Sequence, residues 1–129
     1  MPQATNFTIK DGSLADTLFT NVQPAGGSLP ATYFARAKGA IPLHQPVINI
    51  SATGKQNGVR TTKQTVKTPI LQTDINGVTK VVDYAFTEIS TTMPGTASVA
   101  NRAEHWAFVA NSCDIAQVAD SHKDGYPPN

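Results

Sequence analysis

One cysteine, Cys113, stands in a chain of 129 residues, which excludes an intrachain disulfide and leaves nothing that calls for an oxidising compartment. No stretch approaches membrane-spanning length, and the first ten residues lack the apolar run of a signal peptide. The expectation is a protein made and kept in a cytoplasm, unless it leaves as part of something larger, with no membrane partner. Metal-ligand spacing is also missing: His44, His105 and His122 are scattered, and no second cysteine accompanies them. Cys113 lies eight residues from His105 with no third group to orient the pair, and reads as a small core residue. Glu88 and Glu104 form no evident acid–base pair, and Gly26-Gly27 lacks the Lys of a phosphate loop. No enzyme, metal or cofactor is supported.

Another shortage is local. Residues 17 to 73 contain no Asp or Glu, yet they hold Arg36, Lys38, Lys55, Arg60, Lys63 and Lys67, a charge of +6. Residues 74 to 129 carry −4 and the first sixteen −1, so a net charge of +1 conceals a basic half and an acidic half. Such asymmetry suits a polyanion partner. Lysines that guard a sheet edge against aggregation would give the same pattern.

What is present is strand-like for about ninety residues. The organising stretch runs from residue 47 to 68. Ile48, Ile50 and Ala52 alternate with Asn49, Ser51 and Thr53, a turn follows at 54–58, and Lys63, Thr65 and Lys67 alternate with Gln64, Val66 and Thr68. Folded as a hairpin, it carries hydroxyls, an amide and two ammonium groups on one face. Around it, residues 6–10 and 14–22 predict a hairpin about Asp11-Gly12, and 31–38 a further strand. Pro69 is expected to stop one strand, and 80–90 reads as the last. After Met93-Pro94-Gly95 the period changes. Val99, Ala103, Trp106, Ala107 and Ala110 predict a helix over 97–111, and Ser112 is placed to cap a second, ended by Gly125.

Strands first and helices last predict an α+β fold with an antiparallel sheet. The chain reads as a single domain, 1–129, with hairpin and sheet over 1–95 and helices and tail over 96–129. About 25 residues of helix are too few to seal a broad sheet comfortably. A dimer in which each subunit's helices cover the other's sheet solves the problem; helices folded onto their own sheet are the alternative.

The lysine face offers charge for phosphates and hydrogen-bonding groups for splayed bases, although stacking aromatics are missing from it. At this point three segments resemble the coat proteins of small single-stranded RNA bacteriophages, the leviviruses. They are A-I-P-L-H-Q-P-V-I-N-I-S-A-T (40–53), T-T-K-Q-T-V-K (61–67) and F-T-E-I-S-T (86–91), followed by two short helices and a Pro-containing tail. The resemblance implies an N-terminal β-hairpin, a five-stranded antiparallel sheet, and two C-terminal helices that interlock in a homodimer. It further implies a quasi-equivalent icosahedral virion capsid, assembled in the bacterial host cytoplasm around viral single-stranded RNA. In that family a coat dimer binds an RNA stem-loop, represses replicase translation and marks the genome for packaging.

Carried onto this chain, the resemblance puts Asn49, Ser51 and Thr65 at a pocket for an unpaired adenine. Lys63 falls at a basic contact, with Arg60, Thr61 and Lys67 beside it. Thr87, Ile89 and Thr91 fall on the inward face of the last strand. Ile89 stands where a stacking Tyr is expected, which implies a different preferred hairpin or weaker binding. The 73–79 loop has no cysteine to crosslink subunits. The competing reading is a β-rich adhesion or carbohydrate-binding module with no nucleic acid.

Overall fold

Six strands lie in one antiparallel sheet in the order of the chain: β1 (Phe7–Lys10), β2 (Asp16–Gln23), β3 (Ala31–Phe34), β4 (Val47–Gly54), β5 (Arg60–Thr73) and β6 (Thr79–Met93). Two helices, α1 (Val99–Ser112) and α2 (Ala116–Asp124), follow. The computed structural model describes residues 3–26, 29–55 and 57–128. Strand β2 serves twice, as the second arm of the N-terminal hairpin and as the first of five strands. The α+β expectation therefore holds. Positions 27 and 28 of the loop before β3, and 56 of the turn after β4, lie outside the described residues.

The hairpin turn is fixed by one side chain. Asp11 Oδ1 accepts hydrogen bonds from the Ser13 N–H at 2.9 Å, the Ser13 hydroxyl at 2.7 Å and the Ala15 N–H at 3.0 Å. Its other oxygen meets the ammonium of Lys38, just past β3. Lys38 first, then the Ser13 hydroxyl and these two N–H groups, hold the Asp11 carboxyl well below the usual carboxylate range. The clasp ties the tip of the hairpin to the body of the sheet.

The core sits beneath that hairpin. Phe19, Ala31, Tyr33, Ala35 and Ile48 are buried, with Phe7, Ile50 and Val66 packed against them. The Phe7 ring stacks on Phe19 at 5.5 Å and tilts against Tyr33 at 4.7 Å. Contacts of this kind contribute about 0.5–1.5 kcal/mol each beyond the area they bury. Strands β1 and β2 thus cover the β3–β4 part of one sheet face.

The other end of the molecule is different. Strand β5 runs through Pro69 to Thr73 instead of stopping there. Its pairing with β4 ends at Lys67, so from Pro69 onward only β6 lies alongside, and the missing N–H is tolerated on the open side. At the turn, Gly54 adopts φ +131°, and a Cβ there would meet the Val59 carbonyl oxygen at 2.4 Å.

Helix α1 begins at Ser98, whose Oγ accepts from the Asn101 N–H at 3.1 Å. Ser112 does not cap α2: it ends α1 and donates its hydroxyl to the Val109 carbonyl at 2.8 Å. Ile115 takes the cap position with no side-chain bond, and Gly125 closes α2 in the left-handed conformation. Neither helix contains a buried residue, and neither packs along its own sheet. Trp106 is 48% exposed, Phe108, Val99 and Ile115 more so, and Cys113 is exposed where a core position was expected. Among the described residues no helix is long and apolar enough to cross a membrane.

Candidate nucleic-acid interface

Cross-strand register assembles the polar face row by row. Phe34, Val47, Lys67 and Phe86 face one another across β3 to β6, and Thr32, Asn49, Thr65 and Glu88 form the next row. Ser51, Lys63 and Ser90 follow, then Thr53, Thr61 and Thr92. Because side chains alternate along a strand, all these residues lie on one side of the sheet. Asn49, Ser51, Thr61, Lys63, Thr65 and Lys67 are therefore brought together as the sequence predicted.

Four expected site residues are not part of it. Thr87 pairs with Val66, Ile89 with Gln64 and Thr91 with Thr62, which places them on the side of Ile48 and Ile50. Arg60 pairs with Gly54 and Met93 and shares that opposite side; its Nε donates to the Lys55 carbonyl at 3.3 Å. The reason is the period of a strand, where a one-residue misphasing moves every side chain to the wrong face. Ile89 is not where an aromatic is missing.

The same register supplies the rings. Phe86, 61% exposed, lies across from Lys67 on the polar face, and Tyr84 lies across from Pro69. Lys67 Nζ sits 4.0 Å from the centre of the Tyr84 ring, so in the free protein the ammonium already occupies that π-face. Phe86 offers its ring openly. The expectation that this face lacks aromatics is corrected, and the signal was available: Tyr84, Phe86 and Glu88 have the parity that pairs with Lys67 and Thr65.

Thr32 was also missed. Its hydroxyl donates to Asn49 Oδ1 at 2.8 Å, which occupies one lone pair of the amide oxygen and fixes the orientation of the Asn49 NH₂. Thr61 and Thr92 hydroxyls lie 3.4 Å apart, and Lys63 Nζ lies 3.4 Å from Glu88 Oε1. The face thus presents a donor amide, a set of hydroxyls, two ammonium groups and an open aromatic ring. Among the described residues no group of three or more His, Cys, Asp or Glu converges on a metal-sized site.

Residues 2–123 match the family described as Levivirus coat protein. No curated protein matches the sequence. Among solved structures, the chain is similar to the virus-like particle of Beihai levi-like virus 21, with TM-score 0.85, 17% identity and 99% of each chain covered. It is similar to the virus-like particle of bacteriophage NT-214, with TM-score 0.80, 19% identity and 96% of each chain covered. The protein capsid of bacteriophage GA gives TM-score 0.73 at 16% identity over 95% of each chain.

Proposed function

The chain belongs to the levivirus coat protein family, and is thus a structural protein of a capsid; on that premise we propose how it is built into a shell and what its polar face holds. The protein acts as a single coat-protein domain over residues 1–129. It pairs as a homodimer, the dimers close into an icosahedral shell in the bacterial host cytoplasm, and the polar face of the sheet turns inward to viral single-stranded RNA.

One observation carries this reading: the sheet is finished on one face and unfinished on the other. The polar face is complete within one chain, down to the Thr32–Asn49 hydrogen bond. Opposite it, Ala85, Thr87, Ile89 and Thr91 of β6 have no helix of their own chain above them, while the helices carry an uncovered Trp106, Phe108 and Val99. Strand β6, fifteen residues long, is also an open edge. Long bare edges and apolar helix stripes are liabilities in a free monomer. A twofold-related copy removes all three at once, by pairing β6 with β6 and laying each pair of helices over the other subunit's sheet.

On the inner face, Asn49, Ser51 and Thr65 bound the pocket for an unpaired base, with the Asn49 amide donating. Phe86 supplies the stacking ring, and Lys63 and Lys67 meet phosphates as point charges. A coat dimer bound in this way to a stem-loop at the replicase start represses its translation and marks the genome for packaging.

Protein purified from a bacterial host tests the reading. It is expected to elute as particles tens of nanometres across whose absorbance is that of nucleoprotein. A small species free of nucleic acid contradicts it and favours the adhesion-module alternative.

A further inference from the structure

Two arginines that the polar face does not use line one cleft. Arg60 opens β5, and Arg102 lies in the first turn of α1. A close backbone approach brings them together. A Cβ on Gly95 would meet the Asn57 carbonyl oxygen at 2.7 Å and the Gly58 Cα at 3.1 Å, so the β6–α1 junction rests directly on the β4–β5 turn. Beside that contact is a cleft of about 360 Å³ whose lining includes Arg60, Thr62, Met93 and Arg102. It belongs to the side of the sheet opposite the lysine row, because Arg60 and Thr62 alternate with Thr61 and Lys63 along β5.

Both guanidinium groups are oriented, and neither is neutralised. Arg60 Nε donates to the Lys55 carbonyl at 3.3 Å, and Arg102 Nε to the Ala97 carbonyl at 3.1 Å. Those bonds use one donor of each fork and leave the terminal NH₂ groups to a ligand. Among the described residues, neither arginine is ion-paired with a carboxylate. Two like charges in one cleft repel each other until an anion enters.

The donor set selects that anion. Planar forks match the oxygens of carboxylates and phosphates bidentately. A carboxylate brings a single negative charge to two cations. A phosphate group carries about −1.5 to −2 at neutral pH and presents oxygens in several directions. It can answer both guanidinium groups and the Thr62 hydroxyl together. The cleft is many times the roughly 30 Å³ that one water occupies in the liquid, which is ample for a tetrahedral oxyanion.

We propose that the cleft between Arg60, Thr62 and Arg102 binds a phosphate dianion, free or as a phosphomonoester, which bridges β5 to the first turn of α1. Since neither helix packs along its own sheet, such a bridge fixes the direction in which the helices leave it. The site is independent of the RNA face, which lies on the other side of the sheet.

Calorimetric titration of the full-length protein with inorganic phosphate, and separately with adenosine monophosphate, tests the assignment, with ionic strength held constant by chloride. Expected is saturable binding that weakens by about ten-fold or more in Arg60→Gln and in Arg102→Gln, the loss of a charge-assisted hydrogen bond. Arg60→Lys, which keeps the charge without the fork, should lose less. Arg36→Gln, which removes the same charge elsewhere, should bind like the parent. Tighter binding of adenosine monophosphate supports an esterified ligand, and tighter binding of phosphate a free one. Absence of saturable binding, binding kept in both glutamine variants, or an equal loss in Arg36→Gln would overturn the proposal. A silent titration joined to a melting temperature of Arg102→Gln that drops further at low protein concentration would overturn it too, and would place a carboxylate of a second copy in the cleft.

Discussion

The two ends of this sheet are built from the same kind of strand and reach opposite outcomes. Beneath the hairpin, Tyr33 is 5% exposed and Ile48 4%, and the aromatic contacts are made within one chain. Along β6 and the helices no residue is buried. The difference teaches where the chain buries its own apolar surface and where it leaves that surface open. Two short strands suffice to cover β3 and β4, whereas the helices leave β6 directly and project from the sheet. The first end is a core; the second is the surface that the proposed dimer covers.

The largest expected effect separates those ends. Trp106→Ala should cost roughly 3 to 5 kcal/mol in assembled protein, the usual loss for an aromatic truncated inside a packed interior. That loss should depend on protein concentration, because in the proposed dimer the missing contacts lie between copies. Tyr33→Ala should destabilise at every concentration. Denaturant melts at two protein concentrations decide the matter, and near-normal assembly of the Trp106 variant would mean the ring stays in solvent.

The next comparison is between the faces of β6. Phe86→Ala should weaken hairpin RNA binding by about 1 to 3 kcal/mol, the range for one lost base–aromatic stack, while Ile89→Ala should leave RNA affinity nearly unchanged. A reversal of the two, in a filter-binding titration, would restore Ile89 to the RNA side and invert the register reading.

Smaller still is a single phosphate contact. Lys63→Ala should flatten the log–log salt slope by roughly 0.7 to 0.9, and Arg60→Ala, on the opposite side, should barely alter it. Equal changes would show that charge acts here without regard to face.

The smallest effect is at the hairpin clasp. Asp11 is held as a carboxylate by Lys38, so its folded pKa lies below the unfolded one. Its contribution is complete above the ordinary carboxylate range and is lost as pH falls below about 4. Asp11→Asn should therefore remove part of the acid-limb slope in a stability–pH curve and leave the neutral and alkaline limbs parallel to those of the parent.

Much of this was legible in the sequence. Alternation in 47–53 and 63–68 specifies both strands and sets Asn49, Ser51, Lys63, Thr65 and Lys67 on one shared face, because β4 and β5 pair without a bulge over that span. The change of period after Pro94 located the helices. Three things were not legible from local pattern. The phase of β6 depends on its register against β5, which sets Thr87, Ile89 and Thr91 on the side opposite the lysine row and Phe86 beside Lys67. Pro69 reads as a stop unless one knows that β4 has already ended. The role of Thr32 requires a neighbour seventeen residues away, Asn49, which only the β3–β4 pairing supplies.

The division of labour between the two faces is tested most directly by ultraviolet crosslinking of the RNA inside purified particles, with each crosslinked residue assigned by mass spectrometry. The account predicts crosslinks at Phe86, Tyr84, Lys63 and Lys67, and none at Ile89 or Trp106. Crosslinks concentrated at Ile89, Thr91 or along Val99–Ser112 would contradict it.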